Sequence, residues 1–416
     1  MRGRRKLGVA SPFTRAGLVT ASVAGRIAVG TRARTGARAI PWPLYAVVLA
    51  STCIVVGLIW DVSWHRTVGR DTFWTLAHVL EQVAAVIAGL SCGWLVLKTT
   101  FAGTPDEKAR SVRFWRFFQG PLGAWVCIWG TLMMITSAPF DNWWHNAYGL
   151  DVKIISPPHM ILAWGMIGIQ IGAMLMTLSA QNRASEEDQP MYSLMHAYAA
   201  GILITMIATV IQEDASVGNQ MHGSKFYAIT AWTIPIFLIG LSRSSRLKWP
   251  ATTITAIYML ITLAMMWILQ LFPATPKLAP IYNPVTHMVP PAFPLLLIIP
   301  AVAVDLLMRR YGRQNDWTLA VMIGVTWVAV MLAVHWFWAQ FLLSPAADNY
   351  IIGANQWSYN ARLGPWTHQY WNRDVDALGN WSPLRFAKGI GIAMILAIVA
   401  SRLSLFWGNG MSKVKR

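Results

Sequence analysis

Runs of predominantly apolar residues, each roughly 20 long, recur from one end of this chain to the other, and a helix of that length just crosses a bilayer core of about 30 Å. Inside lipid the backbone finds no water, so each crossing segment must satisfy its own N–H and C=O groups, and repeated runs of this length mean helices. Composition agrees: 55% of the 416 residues are hydrophobic and 12% charged, against about 25% charged in a soluble domain. The 23 Trp suit a membrane boundary, where the ring is apolar and its N–H stays wet. The expectation is an all-α polytopic transmembrane bundle of about ten spans, at 43–60, 73–97, 115–137, 157–180, 191–212, 225–241, 251–272, 290–308, 317–343 and 386–406.

An even number of spans puts both termini on one side. With the N-terminus inside, 25 of the 34 Lys and Arg fall at inner positions and nine at outer ones, as the positive-inside rule requires. Inner clusters include Lys108, Arg110, Arg113 and Arg116; Arg243, Arg246 and Lys248; Arg309, Arg310 and Arg313; and Lys413, Lys415 and Arg416. Topology therefore accounts for the net charge of +17, and nothing points to a nucleic-acid partner. This orientation implies an inner (cytoplasmic) membrane with an outer, periplasmic face. Residues 1–42 read as a basic cytoplasmic tail without the apolar core and cleavage site of a signal peptide, suited to touching anionic lipid. Cys53, Cys92 and Cys127 fall inside apolar spans, like small buried hydrophobes rather than a disulfide or metal framework. The remaining chain divides into a four-span unit at 43–180, a five-span bundle at 181–343, an outer loop at 344–385, and the last span with a basic tail at 386–416. The outer loop carries Trp357, Tyr359, Trp366, His368, Tyr370, Trp371 and Trp381, which favours an ordered cap at the membrane surface.

Seven of the nine histidines, His65, His78, His145, His159, His222, His287 and His368, map to outer helix ends or outer loops. Scattered structural histidines would show no such bias. In WDVSWHRTVGRDTFWTLAH, residues 60–78, Asp61 and His65 are spaced i, i+4, on one face of a helix end. His78 enters from the next span. In FDNWWHNAYGLDVKIISPPH, residues 140–159, Asp141, His145 and His159 repeat the arrangement, and Asp151 takes the place of Asp71. The pattern D-x3-H-x5-D-x(6 or 7)-H thus occurs twice, each time bridging two spans. Such residues can simply cap helix ends or face water. A carboxylate and two imidazoles converging from a helical hairpin can also hold a divalent transition metal, with Cu, Zn, Fe and Ni all suited to imidazole.

The segment DVSWHRTVGRDTFWTLAHVLE resembles the C subunit of the copper membrane monooxygenases, which include particulate methane monooxygenase and ammonia monooxygenase. The family pattern D-x2-W-H-x-T-x2-R-D-T, then a His and three residues later a Glu, is matched at Asp61, Trp64, His65, Thr67, Arg70, Asp71, Thr72, His78 and Glu81. The resemblance implies metal ligands at Asp61, His65 and His78. It implies a second site, in the family N-x3-H-x13-H with a proline before the last His, at Asp141, His145 and His159, with Asp141 standing where the family has Asn. Arg70, Asp71, Glu81 and Asp151 would orient the imidazoles and tune their basicity. The same resemblance implies a cofactor of one or two copper ions, a multi-subunit complex with other membrane-monooxygenase-like subunits, and a two-electron donor such as a quinol. Ligand types alone leave zinc and iron open. The resemblance covers about the first 180 residues; the extra spans exceed a family C subunit, and no cupredoxin-like module is present.

The second half is less informative. In IYNPVTHMVPP, residues 281–291, Asn283 and His287 are spaced i, i+4 at an outer helix entrance, and Pro284, Pro290 and Pro291 argue for a re-entrant or loop conformation. His222 follows Glu213 and Asp214 at another outer turn. Asp305 lies near the inner end of its span and is expected to pair with nearby arginines. His196 and His335 lie within spans, where an ionisable residue is either a site or a satisfied interhelical bond. The residues leave three readings: an oxygen-activating copper subunit, a non-enzymatic copper- or zinc-handling membrane protein, and a structural subunit whose polar clusters only pack helices. Few ionisable groups lie within the spans, which weakens a transport route.

Overall fold

The computed structural model describes residues 41–415 apart from 70, 71, 73, 150–155, 213–220, 278–283, 313, 361–373 and 379. The described chain is an α-helical bundle, and nine helical segments among the described residues are long and apolar enough to cross a membrane. These are α1 (Trp42–Thr67), α2 (Leu76–Ala102), α4 (Leu122–Tyr148), α5 (Pro157–Arg183), α6 (Gln189–Val210), α7 and α8 together (Ser224–Thr233 and Pro235–Ser244), α9 (Pro250–Leu269), α11 (Asp316–Leu342) and α12 (Pro383–Met411). Two short helices, α3 (Pro105–Ala109) and α10 (Ile298–Tyr311), complete the set, with one hairpin of β1 (Val112–Phe114) and β2 (Phe118–Gly120). Proline marks many helix starts: Pro43, Pro158, Pro190, Pro235, Pro250 and Pro383 sit in first turns. The missing N–H costs nothing there and the fixed φ suits the helix.

The hairpins α1–α2 and α4–α5 pack side by side as one four-helix unit. Small residues bring α4 and α5 together backbone to backbone. A Cβ at Gly130 would meet the Gly165 carbonyl oxygen at 2.7 Å, and one at Gly123 would meet the Gly172 oxygen at 2.6 Å. Close approach of this kind replaces the hydrophobic drive that helices lack inside lipid. Ser51 and Gln170 tie α1 to α5 reciprocally: the hydroxyl donates to the amide oxygen, and the amide Nε2 donates to the Ser51 carbonyl at 2.9 Å.

Four boundaries differ most from the sequence expectation. The third span does not begin at 115, because residues 112–120 form the hairpin and the helix starts at Leu122. The first and third helices run on past 60 and 137 to Thr67 and Tyr148, carrying their Asp and His pairs inside the helix. The eighth span is not a helix from 290. Residues 284–297 are largely extended and α10 has only 14 residues, about 21 Å at 1.5 Å per residue. Pro290, Pro291 and Pro294 remove donors and disfavour helix in the residues before them.

Backbone that is not helical needs other partners, and here side chains supply them. Val289 N–H donates to Thr67 Oγ1 (2.8 Å), Phe293 N–H to the Tyr359 hydroxyl (2.6 Å), Leu295 N–H to the Tyr258 hydroxyl (2.9 Å) and Leu296 N–H to His335 Nε2 (3.1 Å). Burial pushes the Tyr359 hydroxyl up to about 12, so it keeps its proton and donates to the Ile352 carbonyl. His335 donates from Nδ1 to the Met331 carbonyl of its own helix at 3.1 Å, so both ring nitrogens are satisfied and it is not an open site. Buried His196 lies 3.4 Å from the Thr177 hydroxyl and 3.5 Å from that of Ser244.

Asp305 is held chiefly by hydrogen bonds, with Arg309 acting on it only electrostatically. Its carboxylate accepts the Ala251 and Thr252 N–H groups (3.1 and 2.8 Å) and the Thr252 hydroxyl (2.7 Å), capping α9 from a neighbouring helix. Those N–H groups are free at any helix start, and an anion suits the positive end of the dipole. Asp374 of the outer loop caps α7 likewise, accepting the Ser224 N–H and hydroxyl at 2.6 and 2.7 Å. The described part of that loop is ordered against the helix ends: Gln270 Nε2 and Trp267 Nε1 donate to the Tyr350 and Ile351 carbonyls, and Arg66 lies over the Trp357 ring at 5.7 Å. Trp366, His368, Tyr370 and Trp371 lie outside the described residues.

Gly130→Leu should lower stability by about 2 kcal/mol or more, since the clash is with backbone and cannot be relieved by a side-chain rotation. Gly93→Leu, with nothing within 4 Å of the added Cβ, should stay within about 0.5 kcal/mol. Thermal unfolding of the detergent-solubilised variants checks the pair.

Candidate metal centre

The two Asp and His motifs sit at equivalent places in their hairpins. Asp61 and Asp141 lie near the C-terminal ends of α1 and α4, each one turn before its histidine partner, His65 or His145. His78 and His159 are each the third residue of the following helix, α2 or α5. The folded hairpins bring every pair together. Asp61 Oδ1 lies 3.2 Å from His78 Nε2 and 3.6 Å from His65 Nε2. Asp141 Oδ1 lies 3.7 Å from His159 Nε2, and its Oδ2 3.4 Å from His145 Nε2.

The remote ring nitrogens are tethered. His78 Nδ1 lies 3.2 Å from the Thr72 carbonyl oxygen, itself steadied because Thr72 N–H donates to Thr75 Oγ1 at 3.1 Å. His145 Nδ1 lies 3.2 Å from the Gly149 carbonyl oxygen, and His159 Nδ1 3.0 Å from Ser156 Oγ. A carbonyl can only accept, so Nδ1 of His78 and of His145 carries the hydrogen. In the neutral ring Nε2 is then a bare lone pair aimed at a carboxylate oxygen. Two acceptors at this range repel unless a cation, a proton or a metal ion, lies between them.

Burial adds to the demand. Asp61 Oδ1 and Asp141 Oδ1 are both buried and neither has a hydrogen-bond partner. A buried carboxylate oxygen without compensation costs stability. Ligands about 2.1 Å from a tetrahedral ion lie about 3.4 Å from one another, close to the carboxylate–imidazole separations here. Nδ1 bonded to a carbonyl with Nε2 left for a metal is the usual arrangement of a metal-binding histidine. The donor set and the orphaned oxygens therefore fit a transition-metal ion. Among the described residues, no group of three or more His, Cys, Asp or Glu side chains is arranged to hold a metal ion as the chain stands.

The clusters are partly open to their surroundings. Side-chain exposure runs from 18% at Asp61 to 47% at His65. The second lies among aromatic rings, with Trp144 and Tyr148 at 4.5 Å and Phe140 and Trp143 at 5.8 Å between centroids. The first is buttressed from the other side of α1 by the extended segment. Ser63 donates to the Val289 carbonyl (2.5 Å), and Arg66 to the Pro290 carbonyl (3.3 Å).

The other expected site residues have these partners or fall outside the described residues. His222 Nε2 donates to the Trp336 carbonyl at 3.1 Å and its ring lies against Trp336. His287 Nδ1 is 3.0 Å from the neighbouring Thr286 hydroxyl. Glu81 is buried where α2 meets α1, with its Cγ 2.6 Å from a Cβ built on Gly57. Arg70, Asp71, Asp151 and Asn283 lie outside the described residues. The sequence reading missed the tethers Thr72, Gly149 and Ser156. A Ser or Thr just before a helix and a Gly just after one were signals available for Thr75, Ser156 and Gly149.

Comparison with known protein families, with curated proteins and with solved structures finds no match to this chain.

Gly149 turns its carbonyl onto His145 with φ at 85°, a conformation open to glycine and costly for other residues. Imidazole ¹⁵N chemical shifts at neutral pH, on metal-stripped protein, should report Nδ1–H tautomers for His78 and His145. Gly149→Ala should release the His145 tautomer and leave that of His78 unchanged.

Proposed function

We propose that this chain is the copper-binding integral membrane subunit of a complex resembling particulate methane or ammonia monooxygenase. The observation that carries the reading is the doubled one: two buried carboxylate oxygens without hydrogen-bond partners, each facing imidazole Nε2 atoms contributed by both arms of a helical hairpin. Asp61, His65 and His78 would hold one ion, and Asp141, His145 and His159 the other. Copper is favoured over zinc and iron by the resemblance of residues 61–81 to the family, since the donor set accommodates all three.

Bound copper supplies the redox chemistry by which O2 is activated. The net reaction consumes one substrate, O2, two electrons and two protons, and yields hydroxylated product and water. The electrons must come from a donor such as a quinol, delivered through other subunits of the complex. The chain's own residues supply the surroundings. The carbonyl tethers on Nδ1 hold His78 and His145 in the metal-ready tautomer. The aromatic layer at Phe140, Trp143, Trp144 and Tyr148 shields the second cluster on its lipid side, a boundary that a small apolar substrate or ammonia can cross. The positive-inside count over ten spans supports an outer, periplasmic position for both clusters.

Membranes carrying the complex should convert a small hydrocarbon or ammonia to its hydroxylated product only with O2 and a reductant. His78→Ala and His159→Ala, tested separately, should each lower that rate at least 100-fold if both sites serve turnover. Copper bound at full stoichiometry with no oxygen-dependent product would instead support a metal-handling protein.

A further inference from the structure

At the opposite end of the bundle from the two clusters, the β1–β2 hairpin folds back along α2 instead of projecting beyond it. Thr100 Oγ1 accepts the Gln119 N–H at 2.9 Å, and Trp125 Nε1 donates to the Val112 carbonyl at 3.3 Å. Rings continue across this junction. Phe101 and Phe117 lie 5.7 Å apart, and Phe114 lies 5.0 Å from Trp115 and 5.9 Å from Trp129. Trp129 stands in the second turn of α4, so the rings run about 10 Å down from that helix start. The outward members are highly exposed: Trp115 at 77%, Phe101 at 67% and Phe117 at 56%.

The turn itself is strained. Trp115 and Arg116 both adopt left-handed backbone, with φ of 48° and 62°, and Phe117 N–H closes the turn on the Phe114 carbonyl at 3.2 Å. Tight hairpin turns of this sign strongly favour Asn-Gly or Asp-Gly, and bulky residues there are outliers. Backbone strain held at one place points to a use for the side chains placed there. Here those side chains are an indole and a guanidinium.

The charges nearby are Lys98, Lys108, Arg110, Arg113 and Arg116, against Asp106 and Glu107. The acids are committed. Asp106 lies 3.7 Å from Arg110. Glu107 closes a capping box with Thr104, whose backbone N–H holds the Glu107 carboxyl below its usual range. Arg113 and Arg116 are exposed and have no ion-pair partner among the described residues.

We infer that this hairpin is a binding site for an anionic phospholipid, with Arg113 and Arg116 taking the phosphate and Trp115 and Phe117 lying at the boundary between headgroup and acyl chain. Arg is suited to phosphate by its planar fork of donors, and Trp to that boundary by its amphipathic ring. The site is local and geometric, which separates it from a general excess of positive charge. It does not rest on the metal reading or on which leaflet this end faces.

The test reconstitutes the full chain in nanodiscs of phosphatidylcholine containing about one tenth phosphatidylglycerol, then counts retained lipids by native mass spectrometry. Wild type should keep phosphatidylglycerol in preference to phosphatidylcholine. Arg113→Gln with Arg116→Gln should reduce that retention at least fivefold, and Arg246→Gln with Lys248→Gln, an equal charge change in another basic turn, should not. Trp115→Asn with Arg116→Gly suits the turn better, so it should leave the thermal midpoint equal or higher while retention still falls. Unchanged retention in that variant, equal loss in both charge variants, or equal retention of the two lipids by wild type would overturn the proposal.

Discussion

Backbone hydrogen bonding in an apolar surround is the constraint on which this structure depends. Among the described residues, nine segments meet it by remaining helical. Where prolines forbid a helix, between residues 284 and 297, the hydroxyls of Thr67, Tyr258 and Tyr359 and the ring of His335 accept the N–H groups that a helix would have used. Asp305 and Asp374 do the same at the starts of α9 and α7. Each substitute comes from a distant part of the chain, so the bundle is knit together by the places where its helices are broken or begin.

That knitting explains how the second half of the chain bears on the first. The extended segment grips the outer end of α1 at Ser63, Arg66 and Thr67, on residues interleaved with Asp61 and His65. A carboxylate and an imidazole on a helix end would otherwise fray with the last turn. The second cluster is stiffened differently. It relies on the glycine-mediated contact of α4 with α5 and on the return of the Gly149 carbonyl to His145. The two clusters thus share residue types and spacing but differ in how they are stiffened.

Much of this was legible in the letters, because the helical period turns spacing into geometry. D-x3-H puts both groups on one face, and the doubled pattern puts two such faces at one end of the bundle. Apolar runs located the helices. They failed where polar residues continue a helix, at Asp61–Thr67 and Asp141–Tyr148, because Asp, His and Asn lower hydropathy without breaking a helix. They failed again at 115–121, where VRFWRFFQG is aromatic enough to resemble a span yet folds as a hairpin, and at 290–297, where apolar prolines count as span residues although they cannot build one. The tethers on Nδ1 of His78 and His145 are backbone carbonyls, which have no letter, so the tautomer argument for those two appears only once the fold is known.

The central claim is that each Asp and its two imidazoles hold a metal ion. Elemental analysis of the chain in native-like lipid after copper loading, wild type beside His65→Ala and His145→Ala, tests it most directly. The account predicts about two coppers per wild-type chain, one lost in each variant and none lost twice. Absence of stoichiometric metal in the wild type, or metal retained in full by both variants, would contradict it and leave the clusters as polar packing at helix ends.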